Sequence, residues 1–147
     1  MRPWSNTSQA GQVIQWPHMA EHAPFVAIVD DEEPIRKALK RLMRAANVEA
    51  EAFASGADFL GSLSARRPDC VILDLHMPGM SGLHVLQQMQ QSGVQVPAIV
   101  ITAYDEPETR AHCLAAGAAA YLRKPFEDRL LLDAVASAAK IRKNGTR

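Results

Sequence analysis

The stretch VILDLHMPGMSG, residues 71–82, decides how this chain folds. A short apolar run ends in Asp74, and a turn rich in proline and glycine follows. An apolar run bounded by turn residues predicts a buried strand. An aspartate at such a strand end often only forms a hydrogen bond from its side chain to the backbone of the turn that follows. The surrounding sequence decides between that simple role and a chemical one.

Short apolar runs alternate with longer segments of helical spacing from Phe25 onward, which predicts repeated βα units and a parallel sheet. Three runs are almost wholly apolar, as expected of strands covered on both faces. Residues 48–54 alternate instead and predict an edge strand. Right-handed crossovers then give an α/β fold, a three-layer, doubly wound, five-stranded parallel sheet of order 2-1-3-4-5. The predicted strands are 25–29, 48–54, 70–73, 97–101 and 119–123.

Periodicity and end signals predict the helices. The first helix should begin near Pro34, with apolar residues on one face and a solvated basic face that includes Arg36. The last helix is predicted over about 127–141. Amino-terminal caps are predicted at Ser55 and Asp105, and helix ends at Gly93 and Gly117.

The composition argues against several classes of protein. The 16 basic and 16 acidic residues give zero formal charge, which disfavours direct binding to nucleic acid or an anionic membrane. No apolar run reaches the length of a membrane span, and the first residues lack the apolar segment of a secretory signal. Cys70 and Cys113 lie in apolar or alanine-rich segments, which indicates buried thiols in a reducing compartment. We therefore expect a cytoplasmic location.

One domain is predicted over residues 24–142, with an extension over 1–23 before it and a tail over 143–147 after it. The extension contains both tryptophans and has no sustained periodicity, so we expect it to be flexible. Two alternatives stay open for this segment. It can reflect an upstream start site, or Trp4 and Trp16 can dock on the domain surface.

Polar residues fall at the carboxyl ends of the predicted strands. Asp30 and Asp31 follow the first strand and Asp74 ends the third. Thr102 follows the fourth strand and Lys124 follows the fifth. Ligands bind at this edge of an open α/β sheet, where the strand order reverses between the first and third strands. We therefore expect the three carboxylates to converge there.

Three ionised carboxylates in one place need an opposing charge. Two like charges about 4 Å apart repel by roughly 4 kcal/mol at an effective dielectric of about 20. Lys124 supplies one positive charge, and a donor set of oxygens alone favours Mg²⁺ for the remainder. Such a site suits phosphoryl transfer. Asp74, on the central strand, is the predicted nucleophile, and Thr102 and Lys124 would hold the phosphoryl oxygens.

These motifs resemble the receiver domain of bacterial two-component response regulators, nearest to the receiver half of nitrogen-fixation-type and LuxR-type regulators. The matching segments are VDDEE, DLHMPGMSG, ITA and YLRKPF, and the likeness extends from Phe25 to about Arg142. The resemblance implies the flavodoxin-like receiver fold. It also implies that a sensor histidine kinase or phosphotransfer protein phosphorylates Asp74. The implied Mg²⁺ ligands are Asp30, Asp31, Asp74 and the backbone carbonyl of His76.

The same resemblance implies a switch. Thr102 would move toward the phosphoryl group while Tyr121 turns inward, which couples the site to the face formed by the fourth helix, fifth strand and fifth helix. A downstream protein or a second copy of the chain would bind that face. The domain would catalyse only its own phosphorylation and dephosphorylation, and the Lys124–Pro125 peptide bond is expected to be cis. The implied phosphoryl-binding and switch residues are Thr102, Ala103, Lys124 and Tyr121.

Two positions are expected to tune loss of the phosphoryl group. His76 lies two residues after Asp74, and Tyr104 lies two residues after Thr102. Side chains at these positions would affect access of the hydrolytic water. The alternative is that both side chains point into solvent and have no kinetic role.

Other functions are compatible with parts of the pattern. A phosphatase of the haloacid-dehalogenase type also uses an aspartyl nucleophile with Mg²⁺, but it usually has a second acid where this chain has His76. A flavodoxin-like cofactor binder shares the architecture, but the acidic loop DDEEP would repel a phosphate. Within the receiver interpretation, the chain is either a single-domain regulator or the receiver fragment of a transcription factor.

Overall fold

Five parallel strands form one sheet of order β2-β1-β3-β4-β5, as the sequence predicts. The structure is a computed structural model and describes residues 23–145. Strands and helices alternate along these residues. The elements are β1 (Phe25–Val29), α1 (Glu33–Ala45), β2 (Glu49–Phe53), α2 (Gly56–Ser62), β3 (Cys70–Asp74), α3 (Gly82–Gln91), β4 (Ala98–Thr102), α4 (Pro107–Ala115), β5 (Ala118–Arg123) and α5 (Asp128–Gly145).

The sheet separates two hydrophobic clusters. Helices α1 and α5 cover one face, where Leu39 and Leu131 pack against β1, β3 and β4. Helices α2, α3 and α4 cover the other face, where Phe59 and Val85 pack against the same strands. The central strands β1, β3 and β4 are therefore buried at every position. Strand β2 lies at the edge and is partly exposed, in agreement with its alternating sequence.

Helix ends agree with the sequence signals except at α4. Ser55 caps α2 by accepting a hydrogen bond from the Asp58 N–H, and Gly93 and Gly117 end helices with positive φ angles of 72° and 100°. The predicted cap at Asp105 is wrong. Helix α4 begins one residue later, with Glu106 at the cap position and no side-chain cap bond. Proline at the first helical position has no N–H to satisfy, which favours this register.

Several boundaries differ from the predicted ones by a few residues. Strands β3 and β4 each include one more residue than predicted at their carboxyl ends, so Asp74 and Thr102 are the last residues of their strands. Helix α5 continues to Gly145, beyond the predicted end near residue 141. The expected extension lies outside the described residues apart from residue 23, and the domain limits 24–142 stay a prediction.

Gly82 brings α3 against the end of β3. Its N–H donates a hydrogen bond to the carbonyl of Leu75 at 2.9 Å. A Cβ atom at residue 82 would lie 2.5 Å from the carbonyl oxygen of Asp74 and 2.9 Å from the Cα of Leu75. Only glycine allows this approach without moving backbone atoms. The packing of α3 thus fixes the strand end that carries Asp74.

We predict that Gly82→Ala lowers the free energy of unfolding by about 1–3 kcal/mol, because the added methyl group forces the helix and strand apart. Gly61→Ala is the matched control, since a Cβ atom added at residue 61 would have no neighbour within 4 Å. That control should be neutral or raise the stability by about 0.5 kcal/mol, because alanine favours helix. Urea unfolding followed by circular dichroism measures both values. Equal stability of Gly82→Ala and wild type would contradict the packing argument.

Candidate functional site

Three carboxylates meet at the carboxyl edge of the sheet. Asp30 and Asp31 follow β1, and Asp74 ends β3, which is the neighbour of β1. One carboxylate oxygen from each residue lies within 4.8 Å of the others. Asp30 and Asp74 are buried, whereas Asp31 is exposed. The structure thus brings together the acids that the sequence places at adjacent strand ends.

Lys124 joins two of these acids. Its Nζ donates to Asp74 Oδ1 at 3.2 Å and lies 3.5 Å from Asp30 Oδ2. The backbone N–H of Lys124 donates to the carbonyl of Thr102 at 2.7 Å, which fixes the start of the loop after β5. The Lys124–Pro125 peptide bond is cis, as the resemblance implies. One cation therefore partly offsets the negative charge of the cluster.

Burial and neighbouring charge alter the proton affinities of this pair. Burial, followed by the charge of Asp30, raises the pKa of Asp74 from 3.8 to about 6, although Lys124 opposes the shift. Burial alone would lower the pKa of Lys124, but the carboxylates of Asp74 and Asp30 outweigh it and raise that pKa. Lys124 is therefore a cation throughout the pH range in which Asp74 ionises.

Asp30 is held by hydrogen bonds at three of its four polar atoms. Its N–H donates to the carbonyl of Phe53 at 3.1 Å. Its Oδ1 accepts from the Glu32 N–H at 2.9 Å, and its carbonyl accepts from Arg36 Nη1 at 2.8 Å. The remaining atom, Oδ2, is buried and has no hydrogen-bond partner among the described residues, although Lys124 Nζ lies 3.5 Å from it. This oxygen is available to a ligand.

The donor set fits a hard divalent cation. Three carboxylate oxygens lie close enough to share one ion, and the buried Asp30 Oδ2 lacks a hydrogen-bond donor from residues 23–145. Magnesium typically takes one or two carboxylates and keeps several water molecules. Because Asp31 is exposed, the cluster opens to solvent on the side where such waters would lie.

The Thr102 hydroxyl is bonded to the loop that follows it. Thr102 is completely buried, and its Oγ1 accepts from the Tyr104 N–H at 3.0 Å and donates to the Tyr104 carbonyl at 3.2 Å. Across residues 23–145, no hydrogen bond joins this hydroxyl to Asp74 or Lys124. The structure therefore places Thr102 at the predicted edge but directs its hydroxyl toward its own loop.

His76 and Tyr104 contact each other across the two loops that flank the acids. Their rings form an edge-to-face pair with centroids 5.0 Å apart and planes at 90°. Both residues are exposed, as is Ala103 between Thr102 and Tyr104. The two residues singled out separately in the sequence are thus one contact in the structure.

Tyr121 lies on β5, away from the acids and beneath α4. Its side chain is buried, and its hydroxyl has no hydrogen-bond partner among the residues that the structure describes. The guanidinium of Arg110 lies 5.3 Å from the ring centroid. Burial is the main cause that raises the pKa of Tyr121. The ring therefore occupies an inward position with an unpartnered polar end.

The sequence patterns do not predict two of these features. Arg36 belongs to the face that its helical spacing assigns to solvent, and its bond to Asp30 spans six residues. The contact between His76 and Tyr104 needs the positions of two loops.

A doubly wound parallel sheet that carries an acid cluster and a lysine at its carboxyl edge defines the receiver class of signalling domains. Comparison with known proteins agrees with this class. The chain belongs to the response regulator receiver domain family of two-component systems, whose sequence profile matches residues 26–136. This assignment favours the receiver over the phosphatase and cofactor-binding alternatives.

Relatives and solved structures show the same family. Response regulator protein TodT of Pseudomonas putida is 35% identical over 124 residues, which cover 84% of this chain and 55% of TodT. The solved response regulator receiver protein from Burkholderia phymatum is 46% identical, has a TM-score of 0.71, and is matched over 80% of this chain and 95% of its own. The solved FixJ-N structure is 32% identical, with a TM-score of 0.76 and coverages of 81% and 95%.

The chain spans about half the length of TodT and of Nodulation protein W of Bradyrhizobium diazoefficiens. The similarity therefore concerns the receiver part of these relatives. In the portion of the chain that the structure describes, none of the helices combines the length and apolarity needed to cross a bilayer.

We predict that Asp74→Asn stabilises the metal-free protein in a pH-dependent way. The pKa of Asp74 is about 6 in the folded chain and 3.8 ordinarily, so the folded state keeps a proton that the unfolded state has lost. The wild type therefore loses stability as pH rises from about 4 to about 6, and the neutral asparagine avoids this loss. The gain should be about 2 kcal/mol larger at about pH 7.5 than at about pH 4.5.

Urea unfolding in EDTA at the two pH values measures this difference. Asp133→Asn is the control, because Asp133 is an exposed carboxylate on α5 outside the cluster. It should give the same change in stability at both values. A gain for Asp74→Asn that is independent of pH would show that the buried charge is not its source.

Proposed function

We propose that this domain is a phosphoacceptor of a two-component phosphorelay, phosphorylated on Asp74 by a sensor histidine kinase or a phosphotransfer protein. The observation that carries the proposal is the Asp74 carboxylate, 3.2 Å from Lys124 Nζ and beside the unpartnered Asp30 Oδ2. Membership in the receiver family supports the same role.

The chemistry is a direct transfer to a carboxylate. An Asp74 oxygen forms a bond to phosphorus as the P–N bond of a phosphohistidine breaks, and the imidazole leaves as a neutral ring because its other nitrogen already carries a proton. The product is an acyl phosphate on Asp74. The pKa of Asp74, about 6, leaves the nucleophile ionised at neutral pH. Lys124 binds a phosphoryl oxygen and compensates the added negative charge.

The metal ligands in this proposal are the carboxylates of Asp30, Asp31 and Asp74 and the backbone carbonyl of His76. A bound Mg²⁺ supplies positive charge to the phosphoryl oxygens during transfer. The convergence of the three acids supports this ligand set. Asp30 keeps its carboxylate aimed into the cluster through its bond from the Glu32 N–H.

The switch in this proposal exchanges hydrogen bonds of Thr102. Its hydroxyl leaves the backbone of Tyr104 and binds a phosphoryl oxygen, which the Ala103 N–H also contacts, while Tyr121 keeps the inward position that it already has. Converting a mostly inactive population to a mostly active one needs about 5.5 kcal/mol of differential stabilisation. Several charge-assisted hydrogen bonds to a dianion can supply that amount.

The output surface in this proposal consists of α4, β5 and α5. It exposes Leu114 and Leu130, which are about half exposed, near the buried Tyr121. A downstream protein or a second copy of the chain would bind there, whereas nucleic acid and membrane are not expected as direct partners. The domain acts in the cytoplasm, either alone or as the receiver of a longer transcription factor. Its only catalysis is its own phosphorylation and dephosphorylation.

We predict that incubation with acetyl phosphate and Mg²⁺ adds the mass of one phosphoryl group. Asp74→Asn should abolish the gain because it removes the nucleophile, and EDTA should reduce it strongly because it removes the cation. Intact-mass spectrometry measures the product, and Asp133→Asn, which alters an exposed carboxylate of α5, is the control that keeps it. A wild-type protein that stays unmodified, or an Asp74→Asn variant that gains the mass, would refute the proposal.

His76 and Tyr104 also have a proposed kinetic role. Their ring contact would restrict entry of the hydrolytic water to the acyl phosphate. We predict that the double substitution His76→Ala with Tyr104→Ala speeds dephosphorylation by up to about tenfold, which is about 1.4 kcal/mol in the barrier. The measurement is the decay of phosphoprotein after removal of acetyl phosphate. His84→Ala, an exposed histidine on α3, should leave the rate unchanged, and an unchanged rate in the double variant would exclude this role.

A further inference from the structure

Arg36 differs from the other basic residues of α1. Most of that face is exposed, including Lys37, Lys40 and Arg41, but Arg36 is half-buried. Its side chain reaches back toward the start of the helix, and Nη1 donates to the carbonyl of Asp30 at 2.8 Å. The bond therefore links α1 to the end of the strand that carries the first acid.

The Asp30 carbonyl needs this partner. Asp30 has no exposed surface, so its carbonyl oxygen is not solvated. Leaving a buried polar group without a partner is costly. Helix α1 has no side-chain cap at Glu32, so the turn between β1 and α1 depends on two side-chain bonds. These are the bond from the Glu32 N–H to Asp30 Oδ1 and the bond from Arg36 to the Asp30 carbonyl.

The two bonds together fix the direction of Asp30. With the strand bond to Phe53, they satisfy every polar atom of this residue except Oδ2. Oδ2 is then the single atom of Asp30 left to face Lys124 and the other acids. Without the Arg36 bond, the buried Asp30 carbonyl would lack a donor. The peptide group between Asp30 and Asp31 would then rotate until water could hydrogen-bond to that carbonyl.

We propose that Arg36 is a positioning residue for divalent-cation binding, acting through the Asp30 carbonyl. This inference rests on the proposed Mg²⁺ site. It makes a prediction opposite in sign to simple electrostatics. As a nearby positive charge, Arg36 would repel a cation, so its removal would tighten binding. As a positioning residue, its removal loosens the ligand set and weakens binding.

The test compares Mg²⁺ affinity in the full, unphosphorylated chain by isothermal titration calorimetry with magnesium chloride. Arg36→Met keeps the apolar stem but removes the donor and the charge. It should weaken Mg²⁺ binding roughly tenfold, the scale typical of groups that orient metal ligands. Arg36→Lys retains a donor and should recover part of the affinity. Lys40→Met, which removes an exposed charge one turn along the helix, is the control and should bind Mg²⁺ as tightly as wild type or more tightly.

A second measurement separates positioning from a general loss of structure. At saturating Mg²⁺, the phosphorylation rate of Arg36→Met with acetyl phosphate should approach the wild-type rate. If Arg36→Met fails to fold, Arg36→Lys is compared with wild type instead. Weaker Mg²⁺ binding by Arg36→Lys supports the proposal, and unchanged or tighter Mg²⁺ binding overturns it. Unchanged or tighter binding in a folded Arg36→Met also overturns it and leaves the proposed function intact. A wild-type chain that binds no Mg²⁺ overturns both.

Discussion

The site depends on repulsion among Asp30, Asp31 and Asp74 that the fold imposes and Lys124 only partly offsets. Two carboxylates about 4 Å apart repel by roughly 4 kcal/mol at an effective dielectric of about 20. Burial is the main cause that raises the pKa of Asp74 to about 6, and the charge of Asp30 adds to the shift. Because the fold holds the three carboxylates close together, a cation that binds between them relieves a repulsion that is already present. A bound cation would relieve part of the electrostatic cost that the metal-free protein bears at Asp74.

The hydrophobic layers maintain the acids against this repulsion. Strands β1 and β3 are buried on both faces, so their ends cannot separate without disturbing two clusters of side chains. Gly82 adds a local constraint, because it brings α3 into backbone contact with Asp74 and Leu75. The charged edge is therefore rigid on the side of the core. The loops that carry His76 and Tyr104 lie on the exposed side, where movement is less costly.

The sequence predicts the fold and the convergence of the acids because both follow from general rules. Buried runs predict strands, and parallel strands place their carboxyl ends at one edge. Sequence signals do not fix the start of a helix where two neighbouring residues can each be the cap. The predicted cap at Asp105 is such a case, because the proline at residue 107 makes Glu106 the residue before α4. Sequence signals also fail for contacts outside any periodic pattern. The bond from Arg36 to Asp30 spans six residues, so helical spacing assigns Arg36 to solvent although it reaches the strand end.

The resting positions of Thr102 and Tyr121 affect the energy of the proposed switch differently. Thr102 already makes two hydrogen bonds to Tyr104, so binding a phosphoryl group exchanges bonds, and only the difference in their strength contributes. Tyr121 is inward, and its hydroxyl has no partner within residues 23–145, a cost of about 1–3 kcal/mol that an acceptor from a partner would remove. A partner that binds the face formed by α4, β5 and α5 would therefore stabilise the inward ring even before phosphorylation. By linkage, a partner that also favours Thr102 in its phosphoryl-bound position would favour phosphorylation of Asp74 to the same extent that phosphorylation favours the partner.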